Sequence, residues 1–152
     1  MNITIYQISK SIDNNTKAII DNYIKMSKIY ATVKLIKIYD KDIKQSQKLS
    51  VENIKKSYTR VYKTKLKMSF NIALDMRGKV VDSLEFSEYF QDQQNVNFFI
   101  GGAYGFDDEF LRCCDAVVSL SSMTISHKIV PIVLCEQVYR AITIITNHPY
   151  HK

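Results

Sequence analysis

Residues 96–105 read Val-Asn-Phe-Phe-Ile-Gly-Gly-Ala-Tyr-Gly, an almost wholly apolar run that ends in a glycine-rich loop. A short run that is apolar on both faces is typical of a strand covered by helices on both sides of a parallel sheet. Strand-like and helix-like patterns alternate along the rest of the chain. The sequence therefore predicts an α/β fold, with a mainly parallel sheet flanked by helices. The length of 152 residues suits a single domain over residues 1–152.

Hydrophobic periodicity predicts the other elements around this strand. The predicted strands cover residues 2–9, 32–39, 68–74, 96–100 and 115–120. The predicted helices follow Asp13-Asn14, cover residues 51–64, run from a Ser83 cap to about residue 94, begin near residues 107–109, and cover residues 130–145. The polar residues 40–50 are expected to form a loop.

The net charge of +6 is unevenly distributed. Residues 25–67 contain 13 basic and 3 acidic side chains, whereas residues 68–152 contain 6 basic and 10 acidic ones. The basic segment suits either a surface that faces nucleic acid phosphates or a solvated lysine-rich exterior. The sequence contains neither a long apolar span nor a secretion signal, so we expect a cytoplasmic protein without a membrane partner. Its three cysteines suit reduced thiols, and no ligand spacing predicts a metal site.

The last predicted helix has an unusually narrow polar face. Glu136, Arg140, Thr143 and Asn147 form one stripe, and most of the remaining circumference is apolar. Such a helix needs cover on more than one side. A sheet covers one side, and a second subunit is the natural cover for the other, so the pattern predicts a homodimer.

Three predicted loops follow strands, where ligands bind in parallel α/β sheets. They are the loop after Leu74, the glycine loop at 100–105 and the hydroxyl-rich run at 119–127. The glycine loop alone is weak evidence, because it lacks the known dinucleotide and phosphate fingerprints. The chain ends in a cluster of polar side chains, from Asn147 to Lys152, which is either a frayed tail or part of a site.

Four ordered motifs carry a resemblance to a known family. They are Phe99-Ile100-Gly101-Gly102-x-x-Gly105, Ser119-x-Ser121-x-x-Thr124-x-x-His127, Glu136-Gln137-x-Tyr139-Arg140-Ala141 and the terminal His148-Pro149-Tyr150-His151-Lys152. The sequence thus resembles the ribosomal RNA large subunit methyltransferase H family of the SPOUT superfamily. The resemblance implies an α/β knot with a C-terminal trefoil, a homodimer, and S-adenosylmethionine as the cofactor. It also implies N3-methylation of a pseudouridine in 23S ribosomal RNA, within the large subunit or the assembled ribosome.

The resemblance also implies roles for individual residues. The cofactor site would include Leu74, Gly101, Gly102, Ser121, Ser122, Met123, Thr124, Ile125 and Ser126. The catalytic group would include Arg140, His148, Tyr150, His151 and Lys152, reaching over the active site of the partner subunit. His151 is a candidate base for the imide proton, Arg140 and Lys152 are candidate anion stabilisers, and Tyr150 is suited to stacking on the base.

The chain departs from the family pattern at three positions. Ser126 stands where proline is common, Tyr104 is bulky within the glycine loop, and Pro131 stands where many members have arginine. The main alternative is a non-catalytic RNA-binding or ribosome-assembly factor on the same scaffold. A methyltransferase with another RNA substrate and a flavodoxin-like nucleotide binder are further alternatives. Binding of the methyl donor distinguishes an enzyme from a pure binding factor.

Overall fold

Five parallel strands form the centre of the fold in the computed structural model, which describes residues 1–150. The strands are β1 (Asn2–Ile8), β2 (Thr32–Ile38), β3 (Phe70–Val80), β4 (Asn95–Ile100) and β5 (Ala116–Ser119). The helices are α1 (Asn14–Ser27), α2 (Lys41–Ser46), α3 (Val51–Lys63), α4 (Ser83–Glu88), α5 (Asp108–Arg112) and α6 (Val130–Ile145). The strand order is β2-β1-β4-β3-β5, and every pairing is parallel, which confirms the predicted α/β class.

Helices cover both faces of the sheet. On one face α1, α4 and α6 pack around Phe98, and on the other α2, α3 and α5 pack around Phe99. These neighbouring phenylalanines of β4 point to opposite faces, as strand geometry requires, and both are fully buried. The prediction of a strand apolar on both faces is confirmed.

The segment predicted as a loop over residues 40–50 contains helix α2, so that prediction was wrong. The Asp40 side chain accepts a hydrogen bond from the Ile43 backbone N–H at 2.9 Å, which caps the helix start. Ile43 is fully buried against the α3 side of the sheet. One cap and one buried side chain are sufficient to form this short helix, because tertiary packing outweighs the polar character of the local sequence.

Helix α4 also differs from its prediction. Its cap is Asp82 rather than Ser83, and Glu85 completes a capping box with it. The helix ends at Glu88, well before residue 94, and the chain then turns through Asp92, whose φ is +60°. Phe90 lies in a turn after the helix, but its side chain is buried. The apolar periodicity therefore continues past the end of the helix.

Strand β3 extends beyond its predicted end at Leu74. Leu74 and Lys79 both lie opposite Val118 of β5, so residues 75–78 form a bulge between two paired stretches. A Cβ atom on Gly78 would lie 2.6 Å from the Val117 carbonyl carbon and oxygen. Glycine is therefore required here because the bulge touches the backbone of β5.

Helix α6 is covered within its own chain. It packs on α1 and α4, and every residue from Val130 to Ile145 is buried or partly buried. Thr143, on the predicted polar stripe, is fully buried, with its hydroxyl donating to the Arg140 carbonyl at 2.7 Å. The apolar character of this helix alone therefore does not require a second subunit. The homodimer, the knot and the single-domain organisation stay predictions. No helix within residues 1–150 is long and apolar enough to cross a membrane.

Candidate functional site

A cavity of about 600 Å³ opens where β4 and β5 end beside the bulge of β3. It is called the glycine-loop cavity, and residues of segments 74–77, 100–105 and 118–127 line it, with Lys55 and Val130. Leu74 lies opposite both Ile100 and Val118, which brings the three segments to one edge of the sheet. This is the edge at which parallel α/β sheets bind ligands.

The structure brings most of the predicted cofactor residues together at this cavity. Those in its lining are Leu74, Gly101, Gly102, Ser121, Met123, Thr124, Ile125 and Ser126. Ser122 is exposed and is not part of the lining formed by the described residues. The hydroxyl-rich loop is internally braced, because Ser119 Oγ donates to the Ser121 carbonyl at 2.8 Å and Ser121 Oγ accepts from the Met123 N–H at 3.0 Å.

The glycine loop is a tight turn against helix α3. The Gly105 N–H donates to the Gly102 carbonyl at 3.1 Å, and Gly105 has a φ of +67°. A Cβ atom on Gly102 would lie 2.5 Å from the buried Tyr58 hydroxyl oxygen. The Tyr62 hydroxyl donates to the Ile100 carbonyl at 2.7 Å and fixes the start of the loop. The loop thus brings bare backbone to the cavity, where a ligand can reach its N–H and C=O groups.

Charged residues that the sequence reasoning did not single out also line the cavity. Arg77 Nε donates to Asp75 Oδ1 at 2.8 Å, and Arg77 Nη2 donates to the Phe106 carbonyl at 2.9 Å. Burial acts to raise the pKa of Asp75, but hydrogen bonds from Arg77 and its positive charge outweigh burial and hold that pKa below its usual value. In the sequence, the Asp75-x-Arg77 spacing in a loop predicted at a strand end was the feature that could have indicated this ion pair at the cavity.

Lys55 is the second such residue. Three neighbouring cations of the basic segment are engaged in ion pairs: Lys56 with Glu52, Arg60 with Asp42 and Lys63 with Glu109. Lys55 instead reaches the glycine-loop cavity from α3. The basic segment is therefore partly neutralised, and one of its lysines faces the cavity.

Three of the predicted catalytic residues, Arg140, His148 and Tyr150, form a second cluster near the end of α6. Arg140 Nη2 lies 2.6 Å from Glu136 Oε1, and the Arg140 guanidinium carbon lies 4.9 Å from the centre of the Tyr150 ring. The Glu136 carboxylate raises the pKa of Arg140 through this hydrogen bond. The Tyr150 hydroxyl also donates to Glu136 Oε1, at 3.4 Å. The arginine is thus held between a carboxylate and an aromatic face.

A backbone turn gives the tail its direction. Asn147 has a φ of +54°, its N–H donates to the Ile144 carbonyl, and the His148 N–H donates to the Thr143 carbonyl at 2.8 Å. This pattern is a Schellman motif with asparagine in the left-handed position. His148 Nδ1 then accepts from the Tyr150 N–H at 3.2 Å. These hydrogen bonds join residues 147–150 to the end of α6, whereas His151 and Lys152 lie outside the described residues.

One chain does not bring the two clusters together. Val130 at the start of α6 lines the glycine-loop cavity, whereas Arg140 lies ten residues further along the same helix. At 1.5 Å per residue, this separation is about 15 Å along the helix axis. The cofactor cavity and the described catalytic candidates Arg140, His148 and Tyr150 therefore lie near different ends of α6.

The three departures from the family pattern are accommodated. Pro131 lies in the first turn of α6, where proline is tolerated. The Ser126 carbonyl accepts from the Ile129 and Val130 N–H groups, which closes the turn that leads into α6 without a proline at position 126. Tyr104 is 45% exposed, so its bulk extends towards solvent. Among residues 1–150, no group of three or more His, Cys, Asp or Glu side chains is placed to hold a metal ion.

Comparisons with known proteins agree with this architecture. The sequence profile of the family described as "Predicted SPOUT methyltransferase" matches residues 1–151. The chain is 46% identical over 152 residues to a protein of Aliarcobacter butzleri named ribosomal RNA large subunit methyltransferase H, covering 100% of both chains. It is 44% identical over 153 residues to a protein of the same name from a Sulfurovum species, again covering 100% of both.

Solved structures support the fold at low sequence identity. A candidate RNA methyltransferase from Bacillus anthracis superposes with a TM-score of 0.52 at 12% identity, covering 98% of this chain and 96% of that one. A probable methylase family protein from Haemophilus influenzae gives 0.51 at 15% identity, covering 96% and 66%. The sequence matches identify the family, and the structural matches concern the fold alone.

Proposed function

We propose that this chain, which belongs to the ribosomal RNA large subunit methyltransferase H family of SPOUT methyltransferases, methylates ribosomal RNA with S-adenosylmethionine as the methyl donor. The target would be N3 of a pseudouridine in 23S ribosomal RNA, within the large subunit or the assembled ribosome. The observation that carries this proposal is the gathering of eight predicted cofactor residues at one cavity. The cytoplasm, where ribosomes lie in bacteria, is the proposed location.

The glycine-loop cavity suits the donor in size and chemistry. Its volume of about 600 Å³ falls within the range of small-molecule sites. The glycine and hydroxyl-rich loops offer backbone donors and acceptors for an adenine and a ribose. The Lys55 ammonium is available for the carboxylate of the amino acid part.

When bound, the donor supplies an electrophilic methyl group: the bond to N3 forms as the bond to sulfur breaks, and the N3 proton leaves. The chain must accept that proton and stabilise the imide anion that develops on the base. Arg140 is a permanent cation suited to the anion, and the Tyr150 ring is suited to stacking on the base. His148 and His151 are the candidate proton acceptors, and Lys152 is a second cation.

A homodimer would unite these groups with the cofactor. Arg140 lies about 15 Å along α6 from the residue that touches the cavity of its own chain. We therefore propose that the tail of each subunit completes the cavity of its partner. Those lysines of residues 25–67 that form no ion pair within residues 1–150 would contact RNA phosphates beyond the site.

Methyl transfer from labelled S-adenosylmethionine to ribosomes from a strain lacking the enzyme tests the reaction. The full chain should label one large-subunit pseudouridine, and a variant truncated after Asn147 should not, while still binding the donor. Donor binding without transfer to these ribosomes would indicate another RNA substrate. Loss of both would favour the non-catalytic RNA-binding or ribosome-assembly factor.

Subunit complementation tests the shared site. The truncated variant and Gly102→Val, whose side chain would collide with Tyr58, should each be inactive. After equal amounts are mixed, random pairing makes about half of the dimers mixed, and each mixed dimer has one intact cavity facing one intact tail. Mixing should therefore restore about a quarter of wild-type activity. Two inactive variants that stay inactive after verified subunit exchange would contradict the shared site.

A further inference from the structure

A second cavity of about 370 Å³ adjoins the glycine-loop cavity. It is called the Gln7 cavity, after the residue of β1 that lines it. Gly102, Ala103 and His127 line both cavities, so the two cavities meet at these residues. Of the residues that line the Gln7 cavity, only the shared Gly102 has a role in the function proposed above.

Gln7 is a buried polar residue with an unmet hydrogen-bonding need. Its side chain is 2% exposed, and its Nε2 donates to the His127 carbonyl at 3.2 Å. That bond fixes the orientation of the amide, because a carbonyl accepts only from the nitrogen. The other amide atom, Oε1, is buried and has no hydrogen-bond partner among residues 1–150. Buried acceptors are almost always satisfied, so Oε1 is the candidate acceptor for an N–H or O–H group in this cavity.

The rest of the lining indicates what kind of ligand this is. Lys10 and Lys128 contribute two ammonium groups, which suit phosphates. Tyr39 contributes a ring that is 39% exposed and therefore available for stacking on a base. An acceptor for an N–H, an aromatic ring and two cations together match a nucleotide.

We infer that the Gln7 cavity holds the base that receives the methyl group, with Gln7 Oε1 accepting a hydrogen bond from N1–H of pseudouridine. This inference rests on the proposed function. Pseudouridine is attached to its ribose through carbon, so N1 and N3 both carry protons. In uridine N1 is bonded to the ribose, and the corresponding ring position carries a C–H. Gln7 thus distinguishes the two bases, and in this placement N3 would be directed to the residues where the two cavities meet.

Two variants of Gln7 separate this role from a structural one. Both Gln7→Met and Gln7→Glu lose the amide nitrogen that donates to His127, but only Gln7→Glu keeps an acceptor. The substrates are ribosomes with pseudouridine at the target and ribosomes with uridine there, from a strain lacking the pseudouridine synthase. Wild-type kcat/KM should favour pseudouridine by roughly 10- to 100-fold, because uridine would leave the buried Gln7 acceptor without a hydrogen bond. Gln7→Met should bring that ratio close to one, and Gln7→Glu should retain most of it.

Tyr39 provides an independent test at a position tolerant of change. Tyr39→Ala should raise KM for ribosomes roughly 10-fold through lost stacking, and Tyr39→Phe should restore most of the affinity. A wild-type enzyme without preference for pseudouridine, or an undiminished ratio in a folded Gln7→Met variant, would overturn this inference alone. If both Gln7 variants fail to fold, an unchanged KM in Tyr39→Ala overturns it. Wild-type inactivity on both kinds of ribosome would instead overturn the proposed function.

Discussion

Replacing Gly78 by alanine would press a methyl group against the backbone of strand β5. The new Cβ would lie 2.6 Å from three backbone atoms, the Val117 carbonyl carbon and oxygen and the Val118 nitrogen. Ordinary contacts to Cβ begin near 3.4 Å, so β3 and β5 would have to separate by close to an ångström. Backbone atoms cannot turn aside as a flexible side chain can.

The cost follows from what that separation disrupts. Val118 is fully buried and lies opposite β3 on both sides of the bulge, at Leu74 and at Lys79. Overpacking costs about 1–3 kcal/mol, and a weakened ladder bond costs about 1 kcal/mol more. A loss of about 2–4 kcal/mol in the free energy of unfolding should lower the Tm by roughly 5–15 °C for a chain of this size.

Thermal unfolding followed by circular dichroism measures this loss. Gly105→Asn is the matched control, because asparagine tolerates the φ of +67° and a Cβ there would lie 3.6 Å from Asp75 Oδ2. It should cost less than about 1 kcal/mol. A Tm for Gly78→Ala within one or two degrees of the wild type would refute the contact between the bulge and β5.

Three further predictions concern stability at acidic pH, the direction of the tail and the reactivity of the thiols. Asp75 has a lowered folded-state pKa, so the stability it contributes is present above the unfolded value of about 3.9 and is lost as pH falls through the folded value. The urea midpoint should therefore fall less steeply between pH 6 and pH 3 in Asp75→Asn than in the wild type, and identical slopes would exclude the Asp75–Arg77 pair as the cause of the pH dependence. Asn147→Val should reduce methyl transfer at least 10-fold by misdirecting the tail at a cost of about 1–3 kcal/mol, whereas Asn147→Gly should keep activity, and equal activities would contradict the motif. Burial raises the pKa of Cys135 to about 12, so iodoacetamide at pH 8.5 should label exposed Cys113 before Cys135. Peptide mass mapping identifies the labelled cysteine, and early modification of Cys135 in the folded protein would count against its burial.

The sequence was most informative where the burial pattern is regular. The run at 96–100 and the long apolar helix at 130–145 match β4 and α6 closely, because burial on two sides leaves little room for polar residues. The three loops at strand ends were also placed together correctly, since parallel strands end at one edge of the sheet.

The sequence was least informative where tertiary contacts override local chemistry. Residues 75–78 carry turn-forming character, but pairing with β5 continues the strand beyond them. Residues 41–46 are mostly polar, but burial of Ile43 fixes a helix. No local pattern reveals that Lys55 rather than its neighbours faces a cavity, because that depends on how α3 is rotated against the sheet. The cover that α1 and α4 provide for α6 depends in the same way on packing.

The strand order has a consequence for how the protein folds during its synthesis on the ribosome. β1 is paired with β2 on one side and with β4 on the other, and the last residues of β1 and β4 are Ile8 and Ile100. At translation rates of about 5–20 residues per second, synthesis from Ile8 to Ile100 takes roughly 5–20 s. Until then one edge of β1 has no partner strand. During that interval an apolar strand edge is open to other nascent chains. The first strand to be made is thus among the last to be enclosed, and early engagement of β1 by a chaperone would protect the sheet at its most vulnerable stage.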